Sequence, residues 1–149
     1  MFQPSRDEAR RFFFDTWAKY RRGERLSALE AVALDVIGRH PEYHALLDDP
    51  ARSLDRDYGP ESGQMNPFLH LSLHMAVEEQ LSIDQPVGIR ECFQRILEKT
   101  GDEHEARHAV LECLGETIWQ AQHAGKPLDE AGYLDCLRRK AGDGLGTRG

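Results

Sequence analysis

Two stretches of the chain repeat one pattern of metal-ligating side chains. The first is His70-Leu-Ser-Leu-His74-Met-Ala-Val-Glu78, and the second, from His104 to Glu112, has the same H-x3-H-x3-E spacing. On a helix, residues four apart lie on one face, with about 5–6 Å between their Cβ atoms. Each stretch would therefore align two imidazoles and a carboxylate, which are side chains that bind iron, zinc and manganese. Two such helices facing each other would form a metal site.

The repeated pattern indicates a metal site more strongly if its side chains are buried. A carboxylate buried alone costs several kcal/mol, and a metal ion supplies the missing positive charge. The alternative is that histidine and glutamate satisfy each other by hydrogen bonds. We predict a site for iron or zinc, with manganese as the third candidate, in which a glutamate would bridge two ions if the site is dinuclear. The predicted ligands are His44, His70, His74, Glu78, His104, His108 and Glu112.

Three further residues have a less direct relation to this site. The proline that follows His40 breaks the geometry that would align its side chain with His44. Glu30 already has a role as the glutamate of a capping box, Ser27-Ala-Leu-Glu30. The sequence leaves open whether His40 and Glu30 join the site. His123 stands outside the pattern, and we expect it on the surface.

The second stretch also contains the zinc-peptidase motif H-E-x-x-H. In those enzymes two histidines hold zinc and the glutamate is the general base, so Glu105 would be the catalytic residue of a hydrolase. Such enzymes usually hold a peptide along a sheet edge, and no segment here alternates with the period of a strand. A zinc-dependent hydrolase is therefore a second hypothesis, and an interaction module with a structural His–Glu network is a third. Whether the protein is an enzyme stays open.

The elements that must position these side chains are helices throughout. Residues 48–65 lack periodicity and form a long loop between the second and third main helices. The stretch around His70 and His74 is apolar nearly all round, so we expect these histidines inside the fold. Capping residues, prolines, glycines and apolar periodicity predict helices over about 5–22, 27–39, 41–47, 66–82, 86–100, 102–124 and 129–140.

This pattern predicts an all-α fold, an antiparallel helical bundle of about five to six helices, the short helix over 41–47 being additional to the main ones. At 149 residues, the length favours one domain. We expect that domain to span residues 1–141. The glycine-rich end, residues 142–149, is expected to be a disordered tail.

Composition excludes several classes of partner. A net charge of −7 argues against a protein that binds nucleic-acid phosphates. No apolar run approaches the roughly 18 residues needed to span a bilayer, so we expect no membrane partner. Three widely spaced cysteines, Cys92, Cys113 and Cys136, predict buried free thiols and a reducing cytoplasm rather than a disulfide framework. Phe13 and Phe14 on the first helix are expected to be exposed, where they would serve a homodimer.

Three different motifs that contain histidine pairs occur along the chain. They are His40-Pro-Glu-Tyr-His44, Asn66-Pro-Phe-Leu-His-Leu-Ser-Leu-His74, and His104-Glu-Ala-Arg-His108 followed by Glu112 and Trp119. Together they resemble a bacterial family described as a domain of unknown function, mostly from proteobacteria, over about Phe12 to Leu137. The resemblance implies a small, single-domain cytoplasmic protein and brings no activity with it. By residue type and spacing, the histidines are also similar to those of hemerythrin-like metal-binding bundles.

Overall fold

Every regular element in residues 6–53 and 66–142, the residues that the computed structural model describes, is helical. The all-α prediction is therefore confirmed. The chain divides into two compact units, Met1–Ala76 and Val77–Gly149, and the boundary falls inside one helix. In chain order the helices are α1 (Arg6–Arg21), α2 (Ala28–Gly38), α3 (His44–Asp48), α4 (Pro50–Ser53), α5 (Pro67–Ile83), α6 (Ile89–Thr100), α7 (Glu103–Ala124) and α8 (Glu130–Lys140), with a 3₁₀ turn at Pro41–Tyr43.

The first unit is built on the aromatic side chains of α1. Phe13 is fully buried, Phe14 and Trp17 are nearly so, and the ring of Phe14 lies 5.5 Å from the ring of Phe68 in α5. The expectation that Phe13 and Phe14 are exposed is therefore wrong, because the apolar stripe of α1 is covered by the helices around it. The same core takes its other buried residues from α1, α2, α3 and α5: Ala9, Ala33, Val36, Ile37, Leu47, Leu71 and Met75.

The start of α2 is fixed by the predicted capping box. The Ser27 hydroxyl oxygen accepts a hydrogen bond from the Glu30 N–H at 3.1 Å, and the Glu30 carboxylate accepts one from the Ser27 N–H at 2.9 Å. Lys19 Nζ donates to the other oxygen of this carboxylate at 2.8 Å, which lowers the pKa of Glu30. Glu30 therefore joins α1 to α2, and its polar atoms are used in doing so.

The start of α5 lies where the sequence predicts it. The Asn66 side-chain oxygen accepts from the N–H groups of Phe68 and Leu69 at 2.9 and 3.2 Å, and Pro67 fills the first turn, where no donor is needed. The predicted loop over 48–65 is wrong at its beginning, because residues 50–53 form α4. Its remainder, residues 54–65, lies outside the described residues, as do the predicted cap at Ser5 and the predicted tail after residue 142.

The second unit packs α6, α7 and α8 against one another. The Tyr133 hydroxyl of α8 donates to the Gln80 side-chain oxygen at 2.7 Å, which ties α8 to the end of α5. The predicted helix from residue 86 begins three residues late, at Ile89, because Gly88 before it is in the left-handed region, with φ 101°. The buried apolar side chains of this unit include Ile89, Cys92, Ile96, Val110, Leu111, Leu114 and Leu137.

A disulfide joins α7 to α8, which corrects the prediction of free thiols. Cys113 and Cys136 are bonded, with their Cα atoms 5.8 Å apart, whereas Cys92 is free and buried. The two cysteines are 23 residues apart in sequence, and only the packing of α7 on α8 brings them together. The free-thiol argument for a reducing compartment is thereby lost, and the cytoplasmic location stays a prediction. No helix among residues 6–53 and 66–142 has the length and hydropathy to cross a membrane.

The buried position of Phe13 predicts a large effect on stability. Phe13→Ala should lower the free energy of unfolding by about 3–5 kcal/mol, because the side chain is removed from a packed core. Tyr20→Ala on the same helix is the control, since Tyr20 is 50% exposed and should cost less than about 1 kcal/mol. Urea unfolding followed by circular dichroism measures both. A Phe13→Ala variant as stable as the wild type would contradict this core.

The disulfide should contribute stability of its own. Replacing both Cys113 and Cys136 by serine should lower the free energy of unfolding by about 3 kcal/mol, because the bridge closes a loop of 23 residues. Thermal unfolding with and without a phosphine reductant tests this. The reductant should lower the melting temperature of the wild type and leave that of the double variant unchanged. An equal response of both proteins would show that the bridge is not formed in solution.

Candidate metal centre

The segment after α2 turns sharply because of a single proline. α2 ends at Gly38, and His40 has φ −130° and ψ 66°, outside the helical region. A residue before proline is pushed out of the helical region by the proline ring, which explains why α2 ends before His40. Pro41 then opens the 3₁₀ turn, where its fixed φ suits the first position. The turn carries His40, Tyr43 and His44 back along the end of α2.

His40 is held by the backbone of α2. Its Nδ1 lies 2.8 Å from the Val36 carbonyl oxygen, and the side chain is 1% exposed. A carbonyl oxygen can only accept, so Nδ1 carries a proton, and in the neutral form of the ring the lone pair is on Nε2. Metal-binding histidines almost always donate their second ring N–H to a carboxylate, a backbone carbonyl or water in this way. His40 therefore has the tautomer and support of a ligand that binds through Nε2.

His44 is held by the next carbonyl along α2. Its Nε2 donates to the Ile37 oxygen at 3.0 Å, and its ring lies 4.6 Å from the ring of Trp17, tilted by 33°. The i, i+4 relation of His40 and His44 is thus explained, since both rings bind carbonyls of the last turn of α2. Among the described residues, His44 is not one of the side chains whose ligand atoms come together.

His70 and His74 lie on α5, one turn apart, with ring centroids separated by 4.8 Å. The His40 ring lies 5.0 Å from the first and 4.6 Å from the second. Ligand nitrogens on these three rings lie within 4.8 Å of one another. Zinc bound to three imidazoles at about 2.0–2.1 Å would hold the nitrogens about 3.4 Å apart, so small ring rotations would complete the site.

Burial and the end of α2 shape the electrostatics of this cluster. His74 and His40 are buried, and His70 is half-buried. The carbonyl end of a helix carries about half a negative charge, and the His40 imidazole is bonded directly to that end of α2. Tyr43 stacks on His40, and burial raises the pKa of its hydroxyl, with the nearby Glu42 adding to the effect. The phenol is therefore neutral at physiological pH.

The two predicted carboxylate ligands are held by cations of the second unit. Arg107 Nε donates to Glu78 at 2.6 Å, and the same guanidinium also binds Glu103 at 2.9 Å. Lys140 Nζ donates to Glu112 at 2.6 Å across the contact between α7 and α8. An ion pair already compensates each carboxylate, so the argument that these glutamates need a metal ion loses its basis.

Two of the three predicted residues at the start of α7 lie at the surface. His104 and Glu105 are exposed, and His108 is half-buried with its ring 4.2 Å from that of His104. The N-cap of this helix is Asp102, whose side chain accepts from the His104 N–H at 2.9 Å. The hydrolase reading of His104, Glu105 and His108 stays a prediction, and so does the assignment of these histidines as ligands.

His40 is the residue whose place in the cluster the sequence left open. The proline that breaks its alignment with His44 also turns its ring toward α5. A usable signal was present in the sequence, because a histidine before proline just after a helix C-terminus can bond back to the free carbonyls of that helix. His123, as expected, is exposed, and it stacks on Trp119 with ring centroids 3.7 Å apart.

Comparison with known proteins places the chain in a family. Residues 5–139 match the family model described as Domain of unknown function (DUF1841). The chain belongs to this family. The match confirms the resemblance drawn from the histidine motifs at the level of the family, whereas the likeness to hemerythrin-like bundles stays a prediction. No curated protein and no solved structure matches the chain. The chemistry of this DUF1841 protein must therefore be argued from its own imidazoles.

The role of His44 can be separated from that of a ligand. His44→Gln keeps a side-chain N–H that can reach the Ile37 carbonyl, whereas His44→Ala removes it. If the cluster of His40, His70 and His74 binds zinc and His44 anchors the turn, the glutamine variant should have a zinc affinity within about threefold of that of the wild type, and alanine should lower this affinity by roughly tenfold. Competition with a coloured zinc chelator measures both. A glutamine variant that loses zinc as fully as alanine would instead make His44 a ligand.

Proposed function

We propose that this protein binds one divalent metal ion through His40, His70 and His74. The observation that carries the proposal is the convergence of three imidazoles, whose ligand nitrogens lie within 4.8 Å of one another in a largely buried setting. Two of the three come from one face of α5, and the third comes from the turn after α2. Imidazole is the commonest metal ligand in proteins, so three imidazoles that converge are a suitable site for a divalent ion.

The ligand set favours zinc or ferrous iron. Imidazole suits zinc, iron, copper and nickel, whereas manganese prefers carboxylate and water oxygens. Glu78 and Glu112 would be needed to bridge a dinuclear site, and both carboxylates bind cations of the second unit. The proposal is therefore a mononuclear centre with nitrogen ligands.

A divalent ion on three neutral ligands needs charge compensation from its surroundings. The last turn of α2 supplies part of it, because the negative end of the helix dipole lies one imidazole away from the ion. The hydrogen bond from His40 Nδ1–H to the Val36 carbonyl also makes that ring a stronger base. Both features raise the affinity of the cluster for a cation.

The number of protein ligands decides what such a centre does. Three ligands and one open position are typical of catalytic zinc, where a bound water becomes acidic enough to act near neutral pH. Four protein ligands are typical of structural zinc. The sequence predicts His108 as a further ligand, and that prediction needs the same test. Retention of zinc by His108→Ala would favour the open, catalytic form.

Metal content is the direct test. Protein purified without a polyhistidine tag should carry, or take up, about one zinc or iron ion per chain. Inductively coupled plasma mass spectrometry quantifies the metal. His40→Ala, His70→Ala and His74→Ala should each lower zinc affinity by at least roughly 10–100-fold. A loss of this size is typical when only a hydrogen-bond partner of a ligand is removed, and the loss of a ligand itself should be no smaller. His123→Ala is the matched control, since this exposed histidine should not affect zinc binding.

Folding must be separated from ligation in this series. His70→Ala is the most informative variant, because His70 is only half-buried and its loss should disturb the core least. Circular dichroism in the presence of a chelator checks that each variant folds. A metal-free wild type that binds none of zinc, iron, copper or nickel on reconstitution would overturn the proposal. So would a folded His70→Ala variant with wild-type affinity.

A further inference from the structure

Tyr43 contacts two of the three imidazoles. It is the last residue of the 3₁₀ turn, three positions after His40. Its ring stacks on that of His40, with centroids 5.6 Å apart and planes within 7° of parallel. Its ring also meets His70 edge-on, at 6.2 Å and 76°. One aromatic side chain therefore touches a ligand from the turn and a ligand from α5.

We infer that Tyr43 is a positioning residue of the three-histidine centre, setting its metal affinity by fixing the ring planes of His40 and His70. This inference rests on the proposed function, since it assigns a role at that same centre. Nothing in the inference requires Tyr43 to touch the ion. It acts through the two imidazoles that its ring contacts.

The need for such a residue follows from the way histidine rotates. The terminal torsion of a histidine side chain has broad, weakly defined minima, so the ring plane is set by its neighbours. The hydrogen bond from Nδ1 to the Val36 carbonyl fixes one point of the His40 ring. A single hydrogen bond tolerates a range of angles, so the ring can still rock about its terminal torsion, and the face of Tyr43 limits this motion. A metal ion then meets lone pairs that are already aligned, which lowers the cost of ordering them on binding.

The contact involves the aromatic ring rather than the hydroxyl. A stacked and an edge-on arrangement are both made by the ring, and phenylalanine can make them equally well. Tyr43→Phe should therefore keep the function, and Tyr43→Ala should lose it. Leu46 provides the matched control for lost packing, because it lies in α3 and is also partly buried against the core of the first unit.

The experiment compares four proteins, the wild type, Tyr43→Phe, Tyr43→Ala and Leu46→Ala. Zinc affinity is measured by competition with a chelator, and the ligand geometry by the visible spectrum of the cobalt(II)-loaded protein. Tyr43→Ala should bind zinc roughly 10–100-fold more weakly and show an altered cobalt spectrum, as for other outer-shell changes. Tyr43→Phe and Leu46→Ala should remain within about threefold of the wild type, with its spectrum.

Each outcome decides between the alternatives. A wild type that binds neither zinc nor cobalt overturns the proposed function and the role of Tyr43 with it. A wild type that binds while Tyr43→Ala binds equally well overturns the role of Tyr43 alone. Equal losses in Tyr43→Ala and Leu46→Ala would reduce the effect to general packing and overturn it too. A loss in Tyr43→Phe as large as in Tyr43→Ala would assign the effect to the hydroxyl and contradict the ring contact.

Discussion

Two hydrogen bonds at the end of α2 hold the first unit in its arrangement. His40 and His44 donate to the Val36 and Ile37 carbonyl oxygens, which belong to the turn where a helix has too few internal donors. The bonds fix the 3₁₀ turn and α3 against α2. On the other side, the His44 ring packs against the ring of Trp17, tilted by 33°, and Trp17 Nε1 donates to Asp48 at 2.7 Å. Three helices are thereby joined through one pair of imidazoles.

The same arrangement explains how imidazoles come to lie together in an apolar region. Phe68, Leu71 and Met75 bring α5 into the core that α1 and α2 form, and this rotation of the helix also turns His70 and His74 inward. Histidine is not the usual residue for packing at such positions, since apolar residues are the ones most often fully buried. Places where a sequence departs from the locally most stable choice are expected at functional sites.

The helices could be predicted well from the sequence, because their ends are determined by capping residues close by in the chain. Caps at Ser27 and Asn66 act over three residues, and the structure uses them as expected. The site was harder to predict for the opposite reason. Which of His40 and His44 faces α5, and which cysteines meet, depends on packing between helices far apart in sequence. The burial of Phe13 was not predicted for the same reason. An aromatic residue on an amphipathic helix gives the same sequence pattern whether or not another helix covers it.

The repeated H-x3-H-x3-E pattern has different surroundings in its two copies. In the first copy His70 is half-buried and His74 is buried, whereas in the second copy His104 is exposed and His108 is half-buried. The glutamates that complete the pattern bind Arg107 and Lys140, so the spacing that aligned them with histidine on one helix did not decide their partners. A helix can bring side chains to one face, but each of these carboxylates forms an ion pair with a cationic side chain close to it. The ligand set that we propose is imidazole alone, and the absence of carboxylate from it is the feature that favours zinc or iron over manganese.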